Sequence, residues 1–364
     1  MNILNIIQCT NLGGMEQANL VRLAGLQQLG HHCELISLNP LGALGPLLER
    51  RRIPARGLPY RGVGGWRSFG AMYGGFRNVR ADAIIMTGHN LVASVALGGL
   101  CGNRRLLAID FHHSGVKSAA HWRLIYRIAR RQFRAVTFPT NFVRQEAESL
   151  YPPIAEISHT LHDPVEIPDL PDEEARSAAR SILGIPDDVP VIGNAGWLIP
   201  RKRFDVFLQT ARRILDSSPK ALFVIAGDGP ERENLMRLAD SLGLTGHVKW
   251  LGWQENLQQF YLALNVLLFN SDWDALGRTP LEAISLGVPV VASVANGGLS
   301  EILDREEYGF VTSTHDVDWL AEKVEVFVRN PERARAAALN GRDHLTRTSA
   351  PLLHAQQMAM LLNP

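Results

Sequence analysis

The stretch "FNSDWDALGRTPLEAISLGVPVVAS", residues 269–293, reads as strand, turn, helix and strand in quick succession. Phe269 closes the apolar run "NVLLFNS", Gly277 to Thr279 open a helix, and "VPVVAS" follows as a short continuous apolar strand. Strands written as unbroken apolar runs with a helix between them belong to a parallel sheet covered on both faces. Two acids, Asp274 and Glu282, flank the Gly-Arg-Thr-Pro turn. A carboxylate at a helix start can be a cap and nothing more, because its charge suits the positive end of the helix dipole.

The same alternation runs through the chain. In the first half, "ILNIIQ", "CELISL", "AIIMTG", "RLLAIDF" (105–111) and "AVTFP" alternate with helical stretches at 15–30, 90–100, 119–134 and 141–150. The rhythm stops at "HTLHDPVEIPDLPDEE", residues 159–174, which is rich in proline and acid and has no period. It resumes with "VPVIGNAG", "ALFVIAGDG", "HVKWLG", "NVLLFNS", "VPVVAS" and "GFVTS", separated by helices at 203–217, 230–242, 255–262, 279–286 and 316–328. The tail reads as two helices with a break near Ser349–Pro351. This pattern predicts an α/β protein of two doubly wound, Rossmann-like domains facing across a cleft, since such sheets bind ligands beyond the carboxyl ends of their strands. Expected boundaries are 1–165, 166–345, and a C-terminal helix at 346–364 returning to the first domain.

With 364 residues the chain exceeds one comfortable core, and 46% hydrophobic with 20% charged residues is the balance of a globular protein. No apolar run reaches the roughly 20 residues of a membrane span, and "MNILNIIQCT" lacks a basic leader, so a cytoplasmic location is expected. Cys9, Cys33 and Cys101 have no metal or redox spacing and read as reduced thiols. The net charge of +1 conceals a division: residues 1–150 hold 18 Lys+Arg against 7 Asp+Glu (+11), the remainder 19 against 29 (−10). A basic half of this kind points to an anionic partner such as a lipid surface, a lipid phosphate or nucleic acid.

Four segments carry candidate chemistry. In "CTNLGGMEQ", Gly13 and Gly14 precede a helix whose free N–H groups suit a phosphate, although the pair also makes an ordinary tight turn. No G-x-G-x-x-G or Walker motif occurs. "FHHSG" places His112 and His113 after a strand, where one imidazole can serve as donor or acid/base; neighbouring histidines point apart, which disfavours a metal. In "NAGWLIPRKRFD", Lys202 at a helix start can meet a diphosphate, with Arg201 and Arg203 beside it; a solvated basic turn is the plainer reading. Around the opening stretch, Asp274 and Glu282 can accept hydroxyls on either side of the helix start at Gly277, Arg278 and Thr279. Phosphate at a helix end with hydroxyls on two acids describes a nucleotide sugar.

In order and spacing these segments resemble the retaining glycosyltransferases of the GT-B class known as family 4, most strongly over residues 190–315 with "GDGPERENL", "DALGRTPLEAISLGVPVVAS" and "NGGLSEIL", and less so at "LGGMEQANLVRLAGLQQLGH" and "FHHSG". The resemblance implies transfer of a sugar from a nucleotide donor, a UDP- or GDP-sugar, to a hydroxyl of a lipid-linked saccharide or glycan, in bacterial polysaccharide or glycolipid assembly. It implies that Glu282 takes the ribose hydroxyls, Asp274 the sugar hydroxyls and Lys202 the diphosphate, that Gly14 lies near the donor phosphate, and that His112 lies beside the transferring sugar. No metal or other cofactor is expected. The family's paired-glutamate motif here begins with Asp274, its arginine after the glycine of "GRL" is Trp197, and its glycine after the first acid is Ala275.

The helix "WRLIYRIARRQFR" sets Arg123, Arg127, Arg130 and Arg134 on one side and Leu124, Ile125, Ile128 and Ala129 on the other, a solvated face or a seat on anionic membrane. Rival readings are a nucleotide-sugar epimerase on the same plan and a non-catalytic nucleotide-sugar-binding protein. A nucleic-acid binder is disfavoured, because no recognition motif accompanies the basic half.

Overall fold

The computed structural model describes residues 1–11, 13–59, 66–101, 106–110 and 118–362. They form two compact units, one of Met1–Pro164 with Thr348–Pro364, the other of Val165–Arg347.

The first unit begins β1 (Asn2–Ile7), α1 (Gly14–Gln28), β2 (His32–Ser37), α2 (Gly45–Arg50), β3 (Ala55–Gly57) and α3 (Trp66–Phe76). It continues with β4 (Ala83–Thr87), α4 (Leu91–Cys101), β5 (Leu106–Asp110), α5 (Ala119–Gln132), β6 (Ala135–Phe138), α6 (Asn141–Leu150) and β7 (Ser158–Thr160). The seven strands are ordered β3-β2-β1-β4-β5-β6-β7, all in parallel pairs.

The second unit runs α7 (Glu173–Leu183), β8 (Val191–Ala195), α8 (Phe204–Leu215), β9 (Leu222–Ala226), α9 (Arg232–Ser241), β10 (Val248–Gly252), α10 (Gln258–Ala263) and β11 (Val266–Asp274). There follow α11 (Arg278–Ser285), β12 (Val290–Gly297), α12 (Leu299–Ile302), β13 (Phe310–Thr312), α13 (Val317–Arg329) and α14 (Pro331–Thr348). Its parallel sheet has the order β10-β9-β8-β11-β12-β13. The last helix, α15 (Pro351–Leu362), belongs to the first unit.

Period-two alternation divides the second sheet's core in two. Val191, Leu267, Phe269 and Val290 face one side with α10 and α11 residues such as Phe260 and Ile284, while Ile192, Leu268 and Val291 face the other with Phe207, Ile214 and Val324. The order reverses between β8 and β11, and it is beyond the carboxyl ends of the strands at such a reversal that open parallel sheets bind ligands.

In the first unit a buried polar cluster ties α15 to α1. The Arg22 guanidinium, 1% exposed, donates from Nε to His354 Nε2 at 3.0 Å and from Nη1 to Asn19 Oδ1 at 3.2 Å. His354 Nδ1 lies 2.8 Å from the carbonyl of His162, an acceptor only, so Nδ1 carries the proton and Nε2 accepts from Arg22.

Several local expectations need correction. The break expected over 159–174 is narrower, because Ser158–Thr160 form the edge strand β7 and Asp172 already caps α7 by accepting from Ala175 N at 2.8 Å. The short elements α2 and β3 and the helices α3 and α7 were not anticipated from the sequence. On α5 the apolar face is Trp122, Ile125, Tyr126 and Ala129, whereas Leu124 is 46% exposed. The arginines 123, 127, 130 and 134 are exposed as expected. Among the described residues Cys9 and Cys33 are free thiols, and the Cys101 side chain lies outside them.

Candidate functional site

The two strands flanking the reversal in the second unit supply the pair that matters most. Lys202 stands on the turn after β8, and Asp274 is the last residue of β11. Their Nζ and Oδ2 atoms form a close ion pair with both side chains 16% exposed. The Lys202 ammonium also lies 5.0 Å from the centroid of the Phe269 ring. The site thus holds opposite charges face to face, each partly shielded from water.

Asp274 is not a helix cap. β11 runs three residues past Ser271 to include it, and the N-cap of α11 is Gly277, which offers no side-chain bond. Gly277 has φ +85°, a left-handed conformation that a side chain disfavours, and it turns the chain from β11 into α11. Behind Asp274, a Cβ on Gly297 would collide with the Asp274 carbonyl oxygen, so β12 can approach the acid only with glycine there. Gly298 N donates to the Ala275 carbonyl at 3.1 Å and fixes the same loop. The "NGGLSE" glycines therefore serve as a backing for the acid.

Glu282, on the second turn of α11, is fully engaged. Oε1 lies 2.7 Å from Arg278 Nε, and Oε2 accepts from the Tyr261 hydroxyl at 2.8 Å. Tyr261 is buried, and burial, with the Glu282 charge behind it, pushes its hydroxyl well above the ordinary phenol range. It remains a donor at any ordinary pH and orients the carboxylate. Thr279 Oγ1 lies 3.3 Å from the carbonyl of Ala195, the last residue of β8, and joins the helix start to the neighbouring strand end.

The basic turn is built by its side chains. Arg201 donates from Nη1 to the Trp273 carbonyl and stacks 5.7 Å from that indole's centroid, so it braces the chain just before Asp274. Arg203 has φ +43°, which costs a non-glycine residue about 1–3 kcal/mol. Two carboxylates hold it there: Asp205 takes Nε and Nη2 at 3.0 Å each, and Asp272 takes Nη1 at 3.0 Å. The bonds to Asp205 and Asp272 raise the guanidinium further above its usual range. Burial alone would raise the Asp205 carboxyl, but the Arg203 bonds and charge outweigh it and lower it.

Trp197, the position where an arginine was expected from the resemblance, is 56% exposed and lies 5.2 Å centroid to centroid from Trp253, itself 43% exposed. The missing cation is thus replaced by an aromatic surface.

In the first unit, Gly13 is the N-cap of α1 with an extended backbone, and Gly14 is its first residue. A carboxylate is already there: Glu16 lies in the first turn, and its Oε1 accepts from Cys9 Sγ at 3.4 Å. His112 and His113 lie outside the described residues. Among the described residues no group of three His, Cys, Asp or Glu could hold a metal ion. No described helix is long and apolar enough to cross a membrane.

The structure brings Lys202, Arg201, Asp274, Gly277, Arg278, Thr279 and Glu282 into one neighbourhood of the second unit. Sequence reading missed Tyr261, Asp272, Arg203's turn-holding role and His315. Tyr261 lies in the apolar run "FYLAL" and carries no signal in sequence. Asp272 was legible: it alternates with Asp274 on one strand.

Two units of seven and six parallel strands, each doubly wound, define the GT-B architecture. Over the whole chain the fold is that of Anabaena HepE, solved in complex with UDP-glucose, at a TM-score of 0.84 and 21% identity, covering 100% of this chain and 99% of that one. Residues 175–344 match the family model of the group 1 glycosyl transferases. This chain is 33% identical over 159 residues to the lipopolysaccharide core biosynthesis glycosyltransferase LpsE of Rhizobium meliloti, covering 43% of this chain and 45% of that protein. It is 29% identical over 257 residues to the GDP-mannose-dependent alpha-(1-6)-phosphatidylinositol monomannoside mannosyltransferase of Mycolicibacterium smegmatis, covering 66% and 65%. In both cases the chain spans less than two thirds of the relative's length.

Proposed function

We propose that this protein is a glycosyltransferase that moves a sugar, with retention of configuration and without a metal, from a UDP- or GDP-sugar to a hydroxyl of a lipid-linked saccharide or glycan. The observation that carries the reading is the Lys202–Asp274 pair at the point where the strand order reverses, with Glu282 held one turn into the next helix. The group 1 match over the same unit supports it. So do the activities of the relatives, a lipopolysaccharide-core glycosyltransferase and a GDP-mannose-dependent mannosyltransferase.

In this reading a donor diphosphate draws the Lys202 ammonium from Asp274, and the released carboxylate accepts hydroxyls of the donor sugar. Glu282, oriented by Tyr261 and Arg278, accepts the ribose hydroxyls. As the glycosidic bond to the diphosphate breaks, negative charge grows on the leaving phosphate, where Lys202 and the first N–H groups of α11 oppose it; one preorganised donor of this kind is worth about 10²–10³ in rate. The acceptor hydroxyl attacks the face that the diphosphate leaves, and a phosphate oxygen takes its proton. The exposed arginines of α5 suit an anionic membrane on which a lipid-linked acceptor lies.

The test is a screen of UDP-, GDP- and ADP-sugars for acceptor-independent hydrolysis and for transfer to lipid-linked saccharides, with and without EDTA. Turnover of one donor, unaffected by EDTA and abolished by Lys202→Ala, is expected. Conversion of the donor to an epimer without acceptor would establish the epimerase instead, and strict dependence on added magnesium would overturn the metal-free mechanism.

A further inference from the structure

We propose that His315 is a positioning residue for the diphosphate-binding turn at Lys202, an inference that rests on the nucleotide-sugar reading above. His315 lies between β13 and α13, more than a hundred residues from Lys202 in sequence, with its ring 15% exposed. Its Nδ1 meets the hydroxyl of fully buried Ser293 at 2.7 Å, and its Nε2 meets Asp272 Oδ1 at 3.0 Å. That same oxygen accepts from Arg203 Nη1 at 3.0 Å, and Ser293 accepts from Asn270 Nδ2 at 2.8 Å.

The chain of bonds has a direction. The Asn270 amide N–H can only donate, so Ser293 accepts from it and has its own proton free for His315 Nδ1. Nε2 then carries the imidazole proton and donates to the carboxylate, one tautomer satisfying every contact. Asp272 is thereby held from two sides, and through Arg203 it holds the left-handed backbone immediately after Lys202. Lys202 itself reaches Asp274, two residues along the same strand, so both ends of the basic turn are referred to one short stretch of β11. Removing the His315 donor leaves half-exposed Asp272 held by Arg203 alone, so the carboxylate and the turn it steadies can shift together.

The experiment measures the affinity of UDP against uridine and of GDP against guanosine, so that the ratio reports the grip on the phosphates alone. His315→Ala should lower the ratio for the preferred base by about tenfold, the worth of roughly one hydrogen bond to a charged group, while nucleoside affinity stays unchanged. His315→Gln, whose amide reaches the Nε2 position, should restore the ratio; His315→Asn, which reaches only the Nδ1 position, should not. An unchanged ratio in His315→Ala, equal behaviour of the Gln and Asn variants, or an equal loss for nucleoside and diphosphate would overturn the assignment. If the unaltered protein binds neither diphosphate, the nucleotide-sugar reading fails, and this one with it.

Discussion

Replacing Asp274 with asparagine should change product binding and turnover in opposite directions. The Asp274 carboxylate pairs with the Lys202 ammonium, the group proposed above to engage the diphosphate. Coulomb attraction at 4 Å is about 4 kcal/mol at an effective dielectric of 20, while fully exposed pairs are worth about 0–1 kcal/mol. With both side chains 16% exposed, this pair lies between those limits. About 1–2 kcal/mol is therefore released when a neutral amide, in place of the carboxylate, no longer competes for the ammonium, which is roughly 5- to 30-fold in affinity. UDP or GDP, whichever the protein prefers, should bind that much more tightly to Asp274→Asn by calorimetry. Sugar transfer should fall by about 10²–10³, because the carboxylate proposed to accept the donor-sugar hydroxyls is gone. Salt provides a control: raising it from low ionic strength should shrink the difference in affinity. Diphosphate affinity that is unchanged or weaker in the variant would refute the idea that the two charges exchange partners on binding.

Gly297→Ala should reduce transfer at least tenfold, since the added methyl displaces the Asp274 carbonyl and with it the acid, an effect read from steady-state rates beside an unchanged far-ultraviolet spectrum. His354→Ala should destabilise the first unit by about 2 kcal/mol, because buried Arg22 loses an acceptor, and lower its melting temperature by roughly 4–8 °C. Burial pushes the Cys33 thiol from its ordinary 9.0 up to about 12. The unfolded chain therefore loses this proton first, so the stability tied to it is intact below pH 9 and declines as pH rises toward 12. Cys33→Ala should flatten the alkaline fall in unfolding free energy by about one proton, some 1.4 kcal/mol per pH unit. Alkylation of Cys33 should track global unfolding rather than local exposure.

What could be read in advance follows from which interactions are local in sequence. Continuous apolar runs such as "VLLF" and "VPVVAS" announce parallel strands because both faces of each strand are buried, and the order of the runs fixed the two-sheet plan. Glu282 and Lys202 were legible since each sits beside a turn or helix start written in glycine, proline and threonine. Asp274 was legible as an acid but not in its setting: nothing in "SDWD" says that β11 continues through it, because that extension is held by pairing with Trp273 and Asp274 opposite Asn296 and Gly297 of β12. Tyr261 and His315 escaped for the same reason. Their partners, Glu282, Ser293 and Asp272, are 21, 22 and 43 residues away, and only the folded sheet brings them together. Leu124 was placed on the wrong side of α5 because a four-and-three spacing of arginines leaves two apolar arcs equally plausible until Trp122 and Tyr126 are seen to fill the buried one.

The most direct measurement is calorimetric titration of UDP-glucose, GDP-mannose and ADP-glucose into the full chain and into Glu282→Ala, in the presence of EDTA. One nucleotide sugar should bind the unaltered protein without metal, and its affinity should fall at least tenfold when the Glu282 carboxylate is removed, the melting profile remaining cooperative. Binding that survives Glu282→Ala undiminished, or no binding of any of the three by the unaltered protein, would contradict it.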